Sequence, residues 1–493
     1  MQNNKYIPIY IYCFVFLIFT LLTHLILKNI VLMHEDLEFY NDLRRIIFYP
    51  DNGSYPAGII KIITTWYMPA LLHIHPNDFV ISFGSYFRAF NMVLLSYILS
   101  LLPFINSDNK SLNIKKLCIH LLLFVIAYLA VWGGLFRYSA YDLQCSTAFC
   151  RLFIPNIFFA FFWLKWTKYF INPEQLNSKV LSLILLSAFI LGAYFELTTV
   201  ISLVSMFFIL IYGIVKKQKL LHIYTLPLIF LIIGSLVLFI NYSFLDHYES
   251  KNPSLTINTI IYNFKLYQDF FNTYWLEIIK PHLICYFIII FSAIFSFVDK
   301  RNTNSHKITF VSLCLTASFI ILFLTFILMG KNHPTGTFWW ISHWGIKMTM
   351  RICLLIPTML AINPVIQKIT KSKDNRLFST ICIMSIFIIT TTTVNYKKSV
   401  SEVLDATLTT REKVYKYDKL VVSQLNGNLP IKLPKNYFDW DDNLELEYLS
   451  AVYGTNPNNI IFVSSNFENI TQELNISISD KELKDLKFKN LRK

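Results

Sequence analysis

The chain has 493 residues, of which 55% are hydrophobic and 15% are charged, a composition that excludes an ordinary soluble globular protein. The net charge of +14 does not indicate nucleic-acid binding, because many lysines and arginines lie in short loops between apolar runs. The sequence has no phosphate-cradling glycine loop, dinucleotide fingerprint or paired-histidine zinc motif, which excludes ATP-driven pumps and nucleotide-sugar enzymes with a Rossmann-like domain.

Apolar runs follow one another along the first four-fifths of the chain. Spanning the hydrocarbon layer takes roughly 20 apolar residues in a helix, and irregular backbone is not tolerated there. We therefore predict an all-α polytopic membrane protein with about 11 transmembrane helices. The predicted spans are 7–27, 84–104, 117–135, 152–166, 180–195, 198–215, 224–240, 282–298, 308–328, 350–363 and 377–394.

The charges of the short loops predict the orientation. Lysines and arginines recur between alternate spans, and the positive-inside bias makes those loops cytoplasmic. The N-terminus is then cytoplasmic, and an odd number of spans puts the C-terminus outside. Most of the long connections, beginning with the loop at 33–82, lie on the outer side, which favours chemistry there. The cationic loops are at 110–116, 165–179, 216–219, 300–307 and 368–376.

The last hundred residues differ in composition from the spans. The segment 395–493 is polar and charged, and contains two prolines and short alternating apolar stretches. This pattern predicts a small C-terminal α/β domain on the periplasmic side, following a membrane domain at 1–394. Such a segment is long enough for a modest hydrophobic core.

An acidic cluster directly follows the first predicted span. It includes Glu35, Asp36, Glu38 and Asp42. A carboxylate at the mouth of a membrane helix is reached by water from one side and by lipid-borne material from the other, as a general base requires. Two neighbouring carboxylates also raise each other's pKa. A solvated interfacial loop with acids at a helix N-terminus explains the cluster equally well.

A second acid, Glu196, lies in a very short outer connection between two spans. An ionisable group so close to the hydrocarbon is costly unless it is paired or faces a wet cavity. The sequence leaves a functional role and a structural pairing equally open.

Several cations lie on the same side as these acids. Lys347 and Arg351 are four residues apart and share one helix face, which suits a lipid phosphate. Arg88, Lys331 and His343 are further candidate phosphate ligands. Snorkelling of long side chains at the membrane surface is the alternative explanation.

The eight cysteines show no metal-ligand spacing, so no metal site is predicted. Cys145 and Cys150 share one loop. The sequence leaves open whether they form a disulfide or remain free thiols.

The arrangement resembles the GT-C superfamily of membrane glycosyltransferases, and within it the bacterial serotype-converting O-antigen glucosyltransferases. The chain has Glu35 where many relatives have Asp, so the choice between Glu35 and Asp36 as the base stays open. The resemblance rests on the acids after the first span, FELTT at 195–199, MR at 350–351, WDDN at 440–443 and AVYG at 451–454.

The resemblance implies a polyprenyl-phosphate sugar as donor, a surface glycan such as O-antigen as acceptor, and a site at the periplasmic face of the bacterial inner membrane. Glu35 or Asp36 would deprotonate the acceptor hydroxyl, and Arg351, Lys347 and Arg88 would stabilise the departing phosphate. Glu196 would orient a cation or bind sugar hydroxyls. No cofactor is expected, and no metal is required. A glycan polymerase or ligase, and a lipid-linked-sugar flippase or transporter, are the competing interpretations.

Overall fold

The computed structural model describes the parts of the chain that form the helical bundle and a part of the polar tail. They are residues 7–28, 59–60, 63, 68–72, 80–105, 114–133, 149–217, 222–239, 261, 280–298, 303–328, 344–372, 375–425, 430–435, 437, 446, 449 and 455–476.

Each predicted span coincides with a helix. The helices are α1 (Ile7–Leu27), α2 (Ser85–Leu101), α3 (Ile114–Val131), α4 (Ile154–Ile171), α5 (Ser178–Tyr194), α6 (Glu196–Val215), α7 (His222–Phe239), α8 (Lys280–Val298), α9 (Thr303–Leu328), α10 (Trp344–Ala361), α11 (Asn363–Lys371) and α12 (Asn375–Leu425). The short elements between them are a helix at Met68–Leu72, π-helical turns at Val80–Gly84 and Phe149–Phe153, and 3₁₀ turns at Leu102–Phe104 and Pro173–Gln175.

Seven of the described helical segments are long and apolar enough to cross a membrane. Three further apolar helices are shorter, at Ser178–Tyr194, His222–Leu238 and His282–Phe297. The prediction of a helical protein with several membrane-length apolar helices is therefore confirmed. The seven longer segments are Tyr10–Leu27, Ser82–Phe104, Ile114–Val131, Glu196–Val215, Thr303–Leu322, Thr349–Thr370 and Asn375–Leu425.

Contacts near the helix ends identify two opposite ends of the bundle. At one end, which we call the arginine end, Arg88 of α2 lies over the ring of Phe149 just before α4. At the opposite end, which we call the basic end, the Lys307 ammonium of α9 lies over the ring of Phe170 near the end of α4. Consecutive spans therefore connect one end to the other.

The basic end gathers the described cations of the predicted cytoplasmic loops. The Lys115 ammonium donates to the carbonyl of Ser372 over 3.1 Å, joining the start of α3 to the end of α11. The Lys368 ammonium lies 4.9 Å from the centroid of the Phe295 ring in α8. Loops far apart in sequence thus place their positive charges at one end of the bundle.

Polar side chains join the apolar helices across the core. Thr23 and Tyr128 share a hydrogen bond of 2.8 Å between α1 and α3. The hydroxyl of Ser205 donates to that of Ser318 over 2.8 Å, between α6 and α9. Such bonds matter inside a membrane, because lipid tails offer these groups no partner.

Helices α5 and α7 approach each other closely where two glycines face each other. A Cβ added at Gly192 would overlap the carbonyl oxygen of Leu231, and one at Gly234 would overlap that of Phe189. Small residues let backbones approach this closely, which favours helix association in lipid. The crossing fixes the end of α5, where the chain turns into α6.

Helix α12 extends well beyond the bilayer thickness. Its 51 residues span about 75 Å, more than twice the roughly 30 Å of a hydrocarbon core. The predicted domain boundary between 394 and 395 therefore lies inside a continuous helix. Helix α1 packs against α12. Burial lowers the pKa of Lys28, which directly follows α1, and the positive charge of Arg411 lowers it further.

The tail packs against this polar half of α12. Strands β1 (Ile431–Pro434) and β2 (Ile460–Val463) pair in parallel, with Ile431 opposite Ile460, and helix α13 (Phe467–Glu473) follows. Gln424 bonds both ways to the backbone of Lys432, over 2.9 and 3.1 Å. The Tyr437 ring stacks between Tyr417 and Phe467. Whether this segment is a separate α/β domain stays a prediction.

Candidate functional site

The π-helical turn Phe149–Phe153 joins three helices at the arginine end. The Tyr194 hydroxyl, at the end of α5, donates to the carbonyl of Cys150 over 2.7 Å. The Thr349 hydroxyl of α10 donates to the carbonyl of Leu152 over 3.2 Å. Asn156, one turn into α4, donates to the same carbonyl and to Thr349, over 2.7 and 3.3 Å. The turn therefore fixes α5 and α10 relative to α4.

Arg88 approaches this turn from α2. It is only 3% exposed, and its guanidinium carbon lies 5.8 Å from the centroid of the Phe149 ring. A cation held over an aromatic face in a desolvated place gains more than at a surface. Snorkelling, the alternative explanation given above, would place the charged group at the membrane surface, whereas the Arg88 side chain is buried in the bundle.

Arg351 lies in α10 and is 2% exposed. It follows Thr349 by two residues, which places the two side chains about 200° apart around the helix. Thr349 faces the π turn, so Arg351 faces another side of α10, a helix that also packs against α8 and α9. Arg88 and Arg351 therefore lie at the same end of the bundle but against different helices.

Glu196 begins α6 directly after the end of α5. Phe195 alone connects the two helices, in an extended conformation with φ −147° and ψ 130°. Its carbonyl accepts hydrogen bonds from the hydroxyls of Thr198 and Thr199, over 3.0 and 2.8 Å. Glu196 is half-buried, so it lies at the edge of the bundle beside the helix whose Tyr194 binds the π turn.

The structure also reveals a residue that sequence reasoning missed. His282, in the first turn of α8, is 7% exposed, and its Nε2 atom has no hydrogen-bond partner among the described residues. Its ring meets that of Phe319 edge-on at 5.9 Å. The signal in the sequence was a histidine opening an apolar span on the side predicted to hold Arg351.

Several predicted site residues lie outside the described ranges. These are Glu35, Asp36, Lys331 and His343, so their roles stay predictions. Lys347 lies in α10 one turn before Arg351, but its side chain is outside the described part. Cys150 is buried, and Cys145 is not among the described residues, so whether the two form a disulfide stays open.

The described part of the arginine end thus has the groups that bind an oxyanion. Two guanidinium groups and an imidazole lie in low-polarity surroundings, where charge-assisted hydrogen bonds are strong. Glu196 adds one carboxylate at the edge. Within the described ranges, no three His, Cys, Asp or Glu side chains are grouped to hold a metal ion.

Comparison with protein-family models, with curated proteins and with solved structures gives no match for this chain.

Proposed function

We propose that this chain is a membrane glycosyltransferase that moves a hexose from a polyprenyl-phosphate donor to a surface glycan such as O-antigen. The observation that carries the proposal is the separation of charges in the bundle. One end collects exposed or half-buried lysines, as a cytoplasmic surface does. The other end buries Arg88 and Arg351, with the half-buried Glu196 at the edge of the same end, which suits an anionic group presented from the lipid.

The proposed orientation puts the arginine end at the periplasmic face of a bacterial inner membrane. About eleven helices then cross the bilayer, since the helix positions match the predicted spans. The N-terminus is cytoplasmic, and the segment after the membrane part of α12 forms a periplasmic α/β domain. A reporter fused after residue 425 should be active in the periplasm, and one in the loop at 218–221 should be active in the cytoplasm. The opposite pattern would contradict this orientation.

The reaction forms one bond and breaks one. The acceptor hydroxyl oxygen attacks the anomeric carbon of the sugar, and its proton passes to Glu35 or Asp36. The bond between that carbon and the phosphate oxygen breaks, and the oxygen leaves with the electron pair. Arg351, together with Lys347 and Arg88, stabilises the negative charge that develops on the phosphate. Glu196 binds hydroxyls of the sugar at the edge of the site.

The test compares surface polysaccharide from cells with and without the protein, by mass spectrometry. We expect an added hexose that depends on the protein. Arg351→Gln and Arg88→Gln should each remove most of it at normal protein abundance. Arg376→Gln is the matched control, because Arg376 is an exposed arginine at the basic end, and it should leave the modification unchanged.

Identical polysaccharide with and without the protein would contradict the proposal. A change in glycan chain length without an added sugar would identify a polymerase or ligase instead. Accumulation of a lipid-linked sugar on the cytoplasmic side, in cells lacking the protein, would identify a flippase.

A further inference from the structure

Helix α8 packs along α10 and α11 in one consistent direction. The hydroxyl of Ser312 in α9 donates to the carbonyl of Pro357 in α10 over 2.7 Å, and Phe319 lies two turns further along α9. Because α9 and α10 run in opposite directions, Phe319 lies near the level of Arg351, and its ring contacts that of His282. At the other end of α8, the Lys368 ammonium lies over the ring of Phe295. His282 and Arg351 thus lie at a similar level of the bundle, on two helices that pack together.

One ring nitrogen of the buried His282 lacks a hydrogen-bond partner among the described residues. Buried polar atoms in folded proteins almost always have a hydrogen-bond partner, because leaving one unpaired costs about 1–3 kcal/mol. His282 Nε2 has none among the described residues, although the side chain is more than nine-tenths buried. Its ring is held against Phe319, so the imidazole is kept in place without satisfying that nitrogen.

The neighbours of this nitrogen indicate what would satisfy it. A second positive group beside Arg351 would be repelled, whereas an anionic oxygen would attract both side chains. The N-terminus of α8 adds the positive end of the helix dipole. Arginine, imidazole N–H and a helix N-terminus are the groups that bind phosphate.

We propose that His282 and Arg351 together bind a phosphate oxygen of the lipid-linked donor, between the start of α8 and the face of α10. His282 donates from Nε2, and the guanidinium supplies the compensating charge. The site is at the arginine end, where the proposed reaction releases its phosphate. The assignment of the ligand as a lipid-linked sugar donor rests on the proposed function. Binding of the phosphate, however, can be measured without any transfer of sugar.

The experiment measures binding of a polyprenyl phosphate without sugar to the purified full chain in nanodiscs. His282→Phe keeps an aromatic ring against Phe319 but removes the donor, and should weaken binding at least ten-fold. His282→Gln restores a donor on a flexible side chain and should recover part of the affinity. His306→Phe is the matched control, because His306 contacts Phe297 at the other end of α8, and should change affinity less than two-fold.

A second measurement uses the wild-type protein, so it does not depend on how a variant folds. Hydrogen–deuterium exchange at the ring carbon of each histidine is read by mass spectrometry. Saturation with polyprenyl phosphate should change the rate at His282 at least two-fold and leave His306 unchanged. An unchanged rate at His282, or equal binding by wild type and His282→Phe, would overturn the proposal.

Two further ligands separate the sources of phosphate. Inorganic phosphate and nanodiscs rich in phosphatidylglycerol should each compete poorly with polyprenyl phosphate. Equal competition by either one would overturn the assignment to a lipid-linked donor. Polyprenyl phosphate binding that depends on His282, in a protein without transferase activity, would support this site and contradict the proposed function. Sugar transfer that His282→Phe leaves unchanged would contradict this site and support the proposed function.

Discussion

Replacing Gly192 by alanine should loosen the junction between α5 and α7. The new Cβ would overlap the Leu231 carbonyl and lie 3.0 Å from the backbone nitrogen of Ser235. Ordinary contact begins near 3.4 Å. The helices must therefore separate by roughly an ångström, and overpacking of this kind costs about 1–3 kcal/mol. Neither atom that the Cβ meets can rotate away, because both belong to the backbone.

Gly213→Ala is the matched control. Gly213 also lies two residues before the end of its helix, so both variants gain the same helix propensity, up to about 1 kcal/mol. Its added Cβ would meet only the ring of Tyr224, at 3.2–3.3 Å, and that ring can shift. The difference in unfolding free energy between the variants, measured by denaturation in detergent, should be about 1–3 kcal/mol. Equal stability would refute the argument that these glycines set the helix distance.

Tyr194→Phe removes the hydroxyl that donates to the π turn and leaves a buried carbonyl without that partner, so it should cost about 1–3 kcal/mol of unfolding free energy. Unchanged stability would contradict this. Thr199→Val should reduce the unfolding free energy less than Tyr194→Phe does. The Phe195 carbonyl, which accepts the Thr199 hydroxyl, also accepts the Thr199 backbone N–H and so keeps a partner in the variant. A larger loss for Thr199→Val would contradict this reasoning. Burial raises the pKa of Tyr437, and the charges of Glu468 and Glu412 raise it further, so the neutral form stabilises the folded tail. That stabilisation is complete below about pH 10 and is lost as the pH rises further. Proteolysis of the tail should therefore accelerate with pH in wild type but less in Tyr437→Phe; the same acceleration in both would contradict the assignment.

The helix positions were predictable because membrane-length apolar runs have few other stable structures. The residues at which the helices begin and end were less predictable. The span predicted at 152–166 continues to Ile171. The cations Lys165 and Lys168 interrupt the apolar pattern, but their ammonium groups lie over the rings of Phe161 and Tyr169. The helix therefore continues through charges that the hydropathy pattern treats as its end.

Pairings between helices were not predictable from one sequence. Arg88 and Arg351 indicated an anion site because both are arginines. Which helices they contact, however, depends on which faces of α2 and α10 point into the bundle. His282 was missed for the same reason, since a single histidine in an apolar run gives no sign of its partner. The continuity of α12 across residue 394 was not predicted, because the apolar run ends there and the polar half is stabilised by tail residues such as Tyr437.

The central claim, that lipid-borne phosphate is bound at the arginine end, is tested most directly by photo-crosslinking. A polyprenyl-phosphate sugar with a photoreactive group beside the phosphate is irradiated with the purified protein, and labelled peptides are identified by mass spectrometry. The account predicts labelling around 149–156, 280–285 and 347–355, removed by excess unlabelled donor. Competed labelling confined to the basic end, around 110–116 or 300–307, would contradict it.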